Sequence, residues 1–146
     1  SVLNTYIMGK PILHKHIIVR AECMEPPREC DKAVAWWEQL VKDIGMVKLD
    51  LPQNPICGYV DTPGNEGLTI CGIIETSHIA MHVWDATEPA LIQLDVYTCS
   101  TLDLQKVVNA LQEFSPVKIE YRLFDREFKI EEKGSQTWTT VTGTDG

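Results

Sequence analysis

Four side chains able to do covalent or proton chemistry fall in one short region of the chain. The stretch "CGIIETSHIAMHVWD", residues 71–85, puts Ser77 directly ahead of His78, with His82 four positions further on. Cys99 closes the next apolar run, "ALIQLDVYTC". The chain has only four histidines, and two of them lie here. A serine hydroxyl becomes a nucleophile once a base takes its proton, an imidazole moves protons near neutral pH, and a thiol can attack or donate. Serine hydrolases of the Gly-x-Ser-x-Gly type set the nucleophile in an elbow between strand and helix, and no glycine flanks Ser77. The pairs His14/His16 and His78/His82 offer nitrogen ligands, but the metalloprotease pattern needs a helix and an intervening glutamate, and neither is present. No metal is therefore expected. Taken singly, Thr69 reads as a β-former and Cys99 as one of several buried thiols, while a strand-start hydroxyl is the rival reading of Ser77.

These residues must be held by strands. "LTICGIIE" (68–75), "HIAMHVW" (78–84) and "ALIQLDVYTC" (90–99) follow one another, with "DATEP" turning between the last two. Upstream, "HKHIIVRAEC" (14–23) is β-branched and reads as a buried first strand after a loose arm over 1–13. A helix follows through "KAVAWWEQLVKDIG", where Val34, Trp37, Leu40, Val41 and Ile44 make one apolar stripe. Asp31 is placed to cap it and Gly45 to stop it. "MVKLDL" (46–51) alternates as a strand, and "ICGYV" is a short strand inside a loop region punctuated by Pro and Gly. A second amphipathic helix spans 101–114, with Leu104, Val107, Val108 and Leu111 on one face and Thr101 or Asp103 as its cap. "VKIEYRLFDREFKI" returns as a last strand, and the tail from Lys133 is expected to carry little structure. The order predicts an α+β fold: a two-layer sandwich with a mostly antiparallel sheet and two helices on one face. One domain over 1–132 and a tail over 133–146 account for the chain.

Composition narrows the function classes. With 146 residues, 44% of them hydrophobic, the chain can bury one respectable core. A net charge of −8 repels phosphates, which argues against nucleic acid or an anionic membrane as partner. No apolar run approaches bilayer length, so the expected place is the cytoplasm. Five cysteines with no Cys-x-x-Cys pair predict buried reduced thiols rather than a disulfide framework or a zinc ribbon.

In order along the chain, "GLT" (67–69), "ETSHIAMHVWD" (75–85) and "LDVYTCS" (94–100) resemble the signature of the prokaryotic-type S-adenosylmethionine decarboxylases, with matching spacing from Thr69 to Ser77 and from Ser77 to His82. The resemblance implies a proenzyme that cleaves itself between Thr76 and Ser77. It implies a pyruvoyl group derived from Ser77 as the cofactor, forming a Schiff base with the substrate amine and taking up electrons as carbon dioxide leaves. By matching position His82 moves protons during cleavage, Thr69 assists nearby, and Cys99 returns a proton after decarboxylation. A thiol suits that last task because ordinary cysteine ionises near 8.5. His78 is left as a supporting residue and Trp84 as core. The family's glutamate after tryptophan has Asp85 or Glu88 in its place here, and Tyr59 is the nearest aromatic candidate for the adenosyl end. The residue before the serine is Thr76, where the family carries glutamate. The implied partner is S-adenosylmethionine, and the implied role is polyamine synthesis. Two rivals are a pyruvoyl decarboxylase of another amine, such as arginine or ornithine, and a non-processing homologue with a binding or regulatory role.

Strand geometry adds an expectation of its own. At about 3.3 Å per residue, Ser77 and His82 stand roughly 16 Å apart along one strand. Being five positions apart, they face opposite sides of the sheet. A two-fold homodimer resolves this if each site takes Ser77 and Cys99 from one chain and Thr69 and His82 from the other.

Overall fold

The computed structural model describes the backbone of residues 6–7 and 10–11 and the whole of residues 13–139. Two short strands, β1 (Tyr6–Ile7) and β2 (Lys10–Pro11), pair antiparallel within the expected arm, the rest of which lies outside the described residues up to 12. Then follow β3 (Lys15–Cys23), α1 (Cys30–Asp43), β4 (Ile56–Val60), β5 (Gly67–Ile74), β6 (Ser77–Trp84) and β7 (Ala90–Thr98). The chain continues through α2 (Leu104–Leu111), a 3₁₀ turn at Gln112–Phe114, β8 (Pro116–Asp125) and β9 (Glu131–Thr139). Strands β3 to β9 form one seven-stranded sheet in the order β4-β5-β6-β7-β3-β8-β9, and every neighbouring pair is antiparallel. With α1 and α2 against it, this is the α+β architecture that the sequence predicts.

The core lies between the sheet and the helices. Period-2 alternation sends Ile70, Ile74, Ile79, Met81, Ile92, Leu94, Val96 and Ile17 to the helix side, where all are buried. Trp37 of α1 is fully buried and donates its indole N–H to the Ile79 carbonyl at 3.0 Å. Trp36 donates to Ala110 of α2 at 2.8 Å, and its ring lies 5.0 Å from that of Phe114, which ties the two helices together. Gly72 of β5 lies directly under Trp37, and a Cβ there would overlap the indole. Helix α1 stops as expected: Gly45 takes φ +76, Met46 N–H donates to Val41 and Gly45 N–H to Lys42, satisfying the last carbonyls.

Several expectations are corrected. Residues 46–51 form no strand; they run beside the end of β5 with one bridge, Lys48 to Ile74. The Asn54 amide occupies that edge instead, donating to the Leu49 and Ile73 carbonyls and accepting from Ile73 N–H at 2.9 Å, as a neighbouring strand's backbone would. Helix α1 begins at Cys30 and Asp31 does not cap it. Of the two caps expected for α2, Asp103 is the one that acts, accepting from Gln105 N–H. The expected last strand, 117–130, ends at Asp125, and Glu131–Thr139 returns as β9, so the sheet continues past residue 132 into the segment read as tail. Cys30 and Cys57 form a disulfide tying the start of α1 to the edge strand β4, where reduced thiols were expected. Cys23 does fit that expectation: burial pushes its thiol up to about 12.

Replacing Gly72 with alanine is expected to lower the unfolding free energy by about 1–3 kcal/mol through overpacking against Trp37, read as a fall in urea midpoint. Reduction of the Cys30–Cys57 bond, which closes a separation of 27 residues, is expected to cost roughly 3 kcal/mol in the same assay.

Candidate active site

The register of β5 and β6 pairs Ile74 with Ser77, leaving Glu75 and Thr76 as a two-residue turn. Thr76 sits at φ +50, in the left-handed region that a β-branched side chain rarely adopts. Strain of roughly 1–2 kcal/mol is therefore held at the residue whose carbonyl joins Ser77. The first residue of β6 shares the odd-numbered side with Ile79, Met81 and Val83, so Ser77 is buried, at 8% exposure. Its Oγ accepts the backbone N–H of Cys99 at 2.9 Å. The Cys99 Sγ lies 2.7 Å from the Thr76 hydroxyl and 3.6 Å from the Glu75 carbonyl. Ser77, Thr76 and Cys99 thus form one contact cluster at the end of the sheet.

Thr69 and His82 form a second. They are partners in the β5–β6 register, and Thr69 Oγ1 lies 3.0 Å from His82 Nδ1. Both are exposed on the face of the sheet away from the helices. The hydrogen bond fixes the imidazole through Nδ1, so Nε2 is the nitrogen left for proton transfer. Within one chain the two clusters stay apart, on opposite faces of β6 and about 16 Å along it.

On the open face, running from His82 across β7 and β3 to β8, lies a concavity of about 740 Å³ whose lining includes Ile18, Arg20, His78, His82, Asp95 and Arg122. Asp95 is its polar centre. His16 Nε2 stands 2.7 Å from Asp95 Oδ1 and His78 Nε2 stands 3.3 Å from it. His78 also stacks on Tyr97, centroids 5.7 Å apart, and Arg126 lies over the same ring at 4.7 Å. Burial pushes the Asp95 carboxyl up, but the His16 hydrogen bond and the charges of His16 and His78 outweigh it and hold it below 3.8. His78 is thus one of two imidazoles in contact with this carboxylate. Sequence reasoning passed over Asp95 and weighed His16 only as a possible metal ligand with His14, although period-2 alternation along "ALIQLDVYT" already placed Asp95 opposite the apolar side.

Two further candidates gather elsewhere. Tyr59 donates its hydroxyl to Asp85, with the two carboxylate oxygens at 3.1 and 3.0 Å, and Arg28 reaches the Asp85 carbonyl at 3.2 Å. Tyr59 pairs with Leu68, so its side chain lies on the helix side, not with Thr69 and His82. Glu88 stands exposed in the turn three residues beyond Asp85. It is Asp85, with its side chain only 6% exposed, that Tyr59 engages. Trp84, expected in the core, is half-buried on the open side, 6.0 Å from the His82 ring, and donates to Asn65 at 2.9 Å.

Since the folded Asp95 carboxyl titrates below its unfolded value, it contributes stability that is complete above 3.8 and lost as pH falls through the lower folded value. Asp95→Asn is therefore expected to flatten the loss of stability on acidification, read from urea midpoints taken from about pH 5 downward.

A family model described as S-adenosylmethionine decarboxylase matches residues 23–127. Among solved structures, the chain is similar to the crystal structure of the adenosylmethionine decarboxylase from Aquifex aeolicus VF5, with a TM-score of 0.58 and 22% sequence identity, over 86% of this chain and 98% of that one. At this identity the likeness concerns the fold. No curated protein matches the chain.

Proposed function

The chain belongs to the S-adenosylmethionine decarboxylase family, and from that premise we propose that it is a pyruvoyl-dependent S-adenosylmethionine decarboxylase that cleaves itself between Thr76 and Ser77. The observation that carries this reading is the contact of Ser77 with Cys99 at a turn that holds Thr76 at φ +50. Nucleophile, strained link and thiol meet at one point. The Ser77 hydroxyl attacks the Thr76 carbonyl, and the left-handed backbone of Thr76 is relieved when that link opens. His82, oriented by Thr69 through the 3.0 Å hydrogen bond, takes and returns the protons of that step.

The residues present fit a pyruvoyl group. Ser77 begins a strand, so cleavage ahead of it leaves a new terminus still anchored by β6, with the Cys99 backbone N–H beside it. When formed, the group supplies a ketone that draws the electron pair from the bond to the departing carboxylate. Cys99 then delivers the proton that replaces carbon dioxide. In the shared site the adenosyl end is assigned to the chain that supplies His82, at the rim near the end of its β6 where Tyr59, Asp85 and Glu88 lie, since within one chain Ser77 and Asp85 stand roughly 26 Å apart.

Separation of the two clusters supports a homodimer with shared sites. A two-fold partner laid across the open face with its β6 running the other way brings its Thr69 and His82 to the end of the sheet, where this chain's Glu75–Thr76 turn leads into Ser77 beside Cys99, and the 740 Å³ concavity then lies at the interface. The proposed product, decarboxylated S-adenosylmethionine, is assigned to polyamine synthesis. Among the described residues no helix is long and apolar enough to cross a membrane, and the cytoplasm is the proposed compartment.

The test uses two variants. Ser77→Ala and His82→Ala chains are each expected to remain full length when prepared alone. Refolded together, the mixed dimer has one site with both Ser77 and His82 intact, so the His82→Ala chain is expected to split into two pieces by intact mass. Cleavage of His82→Ala chains on their own, or none in the mixture, would count against sites shared between chains. A wild-type chain that stays whole after long incubation removes the self-processing reading altogether.

A further inference from the structure

In the uncleaved chain the thiol proposed as proton donor is already engaged. The Thr76 hydroxyl carries one proton and gives it to the Glu75 carbonyl at 2.8 Å. Its lone pairs are what remain for Cys99, 2.7 Å away, so the S–H of Cys99 is the donor in that contact. The Glu75 carbonyl, 3.6 Å from Sγ, is a second acceptor on the same side. The thiol therefore points into the turn, held by two oxygens of residues 75 and 76. The third contact runs the other way, from the Cys99 backbone N–H to Ser77 Oγ.

Self-cleavage removes this arrangement piece by piece. Ser77 Oγ adds to the Thr76 carbonyl carbon and the peptide C–N bond breaks, leaving an ester. Elimination then breaks the Ser77 Cβ–Oγ bond and takes the Cα proton, and the oxygen leaves as part of the Thr76 carboxylate. Addition of one water and loss of one ammonia complete the balance. Residue 77 no longer holds the oxygen that accepted from Cys99, and Thr76 becomes a chain end no longer joined to β6.

We propose that the Thr76 hydroxyl is a positioning group that keeps the Cys99 thiol aimed into the turn until the chain is cut, so that maturation itself frees the thiol for the substrate. This rests on the self-cleavage reading above and adds to it a role for the side chain ahead of the serine. Thr76 is then not a neutral occupant of the cleavage position. Its hydroxyl links the order of the two reactions: a chain that has not been processed presents a thiol whose proton is directed away from any ligand.

Alkylation of Cys99 by iodoacetamide tests this without recourse to decarboxylase activity. Cys71 is exposed and is replaced by serine throughout, while peptide mass assigns the label to Cys99. Intact mass separates cleaved from uncleaved chains, so a labelling rate is read for each. Among uncleaved chains, Thr76→Val keeps the β-branched shape and loses the acceptor; it is expected to label roughly tenfold faster than Thr76, on the order of one hydrogen bond. Thr76→Ser keeps the acceptor and is expected to label at the Thr76 rate. Equal rates for Thr76 and Thr76→Val overturn the inference whether or not the chain cleaves, as do cleaved chains that label no faster than uncleaved ones. Failure of the self-cleavage reading is seen separately, as a permanently intact mass, and leaves the comparison between Thr76 and Thr76→Val readable.

Discussion

Alternation along an extended strand is the constraint on which the rest of this structure depends. In β6 it sends Ser77, Ile79, Met81 and Val83 toward the helices and His78, Ala80 and His82 toward the opposite face. The core is built on the first set, and slipping the strand by one residue would expose all of it. Register is therefore held by the burial of isoleucine and methionine, not by the catalytic candidates. Ser77 and His82 take the faces that packing assigns them. The fold cannot bring these two side chains of one chain together while keeping its core, and that constraint is what the proposed shared site answers.

The turn at Glu75–Thr76 concentrates a different kind of energy. A β-branched residue at positive φ costs roughly 1–2 kcal/mol, tolerable only where neighbours hold it. Here the neighbours are Cys99, through its Sγ and backbone N–H, and the paired ends of β5 and β6. The same contacts that hold the strained peptide keep the thiol occupied. One local arrangement thus serves both the proposed cleavage and the proposed later chemistry.

On the open face the polar groups largely satisfy one another. Asp95 is met by His16 and His78, Arg122 by Glu120, and Arg20 by Glu22. Burying a charge is costly unless it is paired and hydrogen-bonded. A face prepared in this way can be covered by a second chain without leaving orphaned charges. Exposed Ile18, Ile56 and Ile73 add apolar area on the same side of the sheet.

The sequence by itself determined the elements whose signal is burial. Strands β5, β6 and β7, the stripe of α1 and its stop at Gly45 were legible because apolar residues recur at the periods that one buried face requires. The spacing of Ser77, His82 and Cys99 was legible for a related reason, since covalent distance along a strand is nearly fixed. Where burial is weak the reading failed. Residues 46–51 alternate like a strand yet have exposed Val47, Leu49 and Leu51, while β9 carries Trp138 as its one large apolar residue and takes its place at the sheet edge by pairing with β8. Only the tertiary structure decided that Cys30 meets Cys57, that Tyr59 engages Asp85 and that His16 joins His78 at Asp95. Each of those contacts joins different elements, and their meeting depends on strand order and register, which no local pattern in the chain encodes.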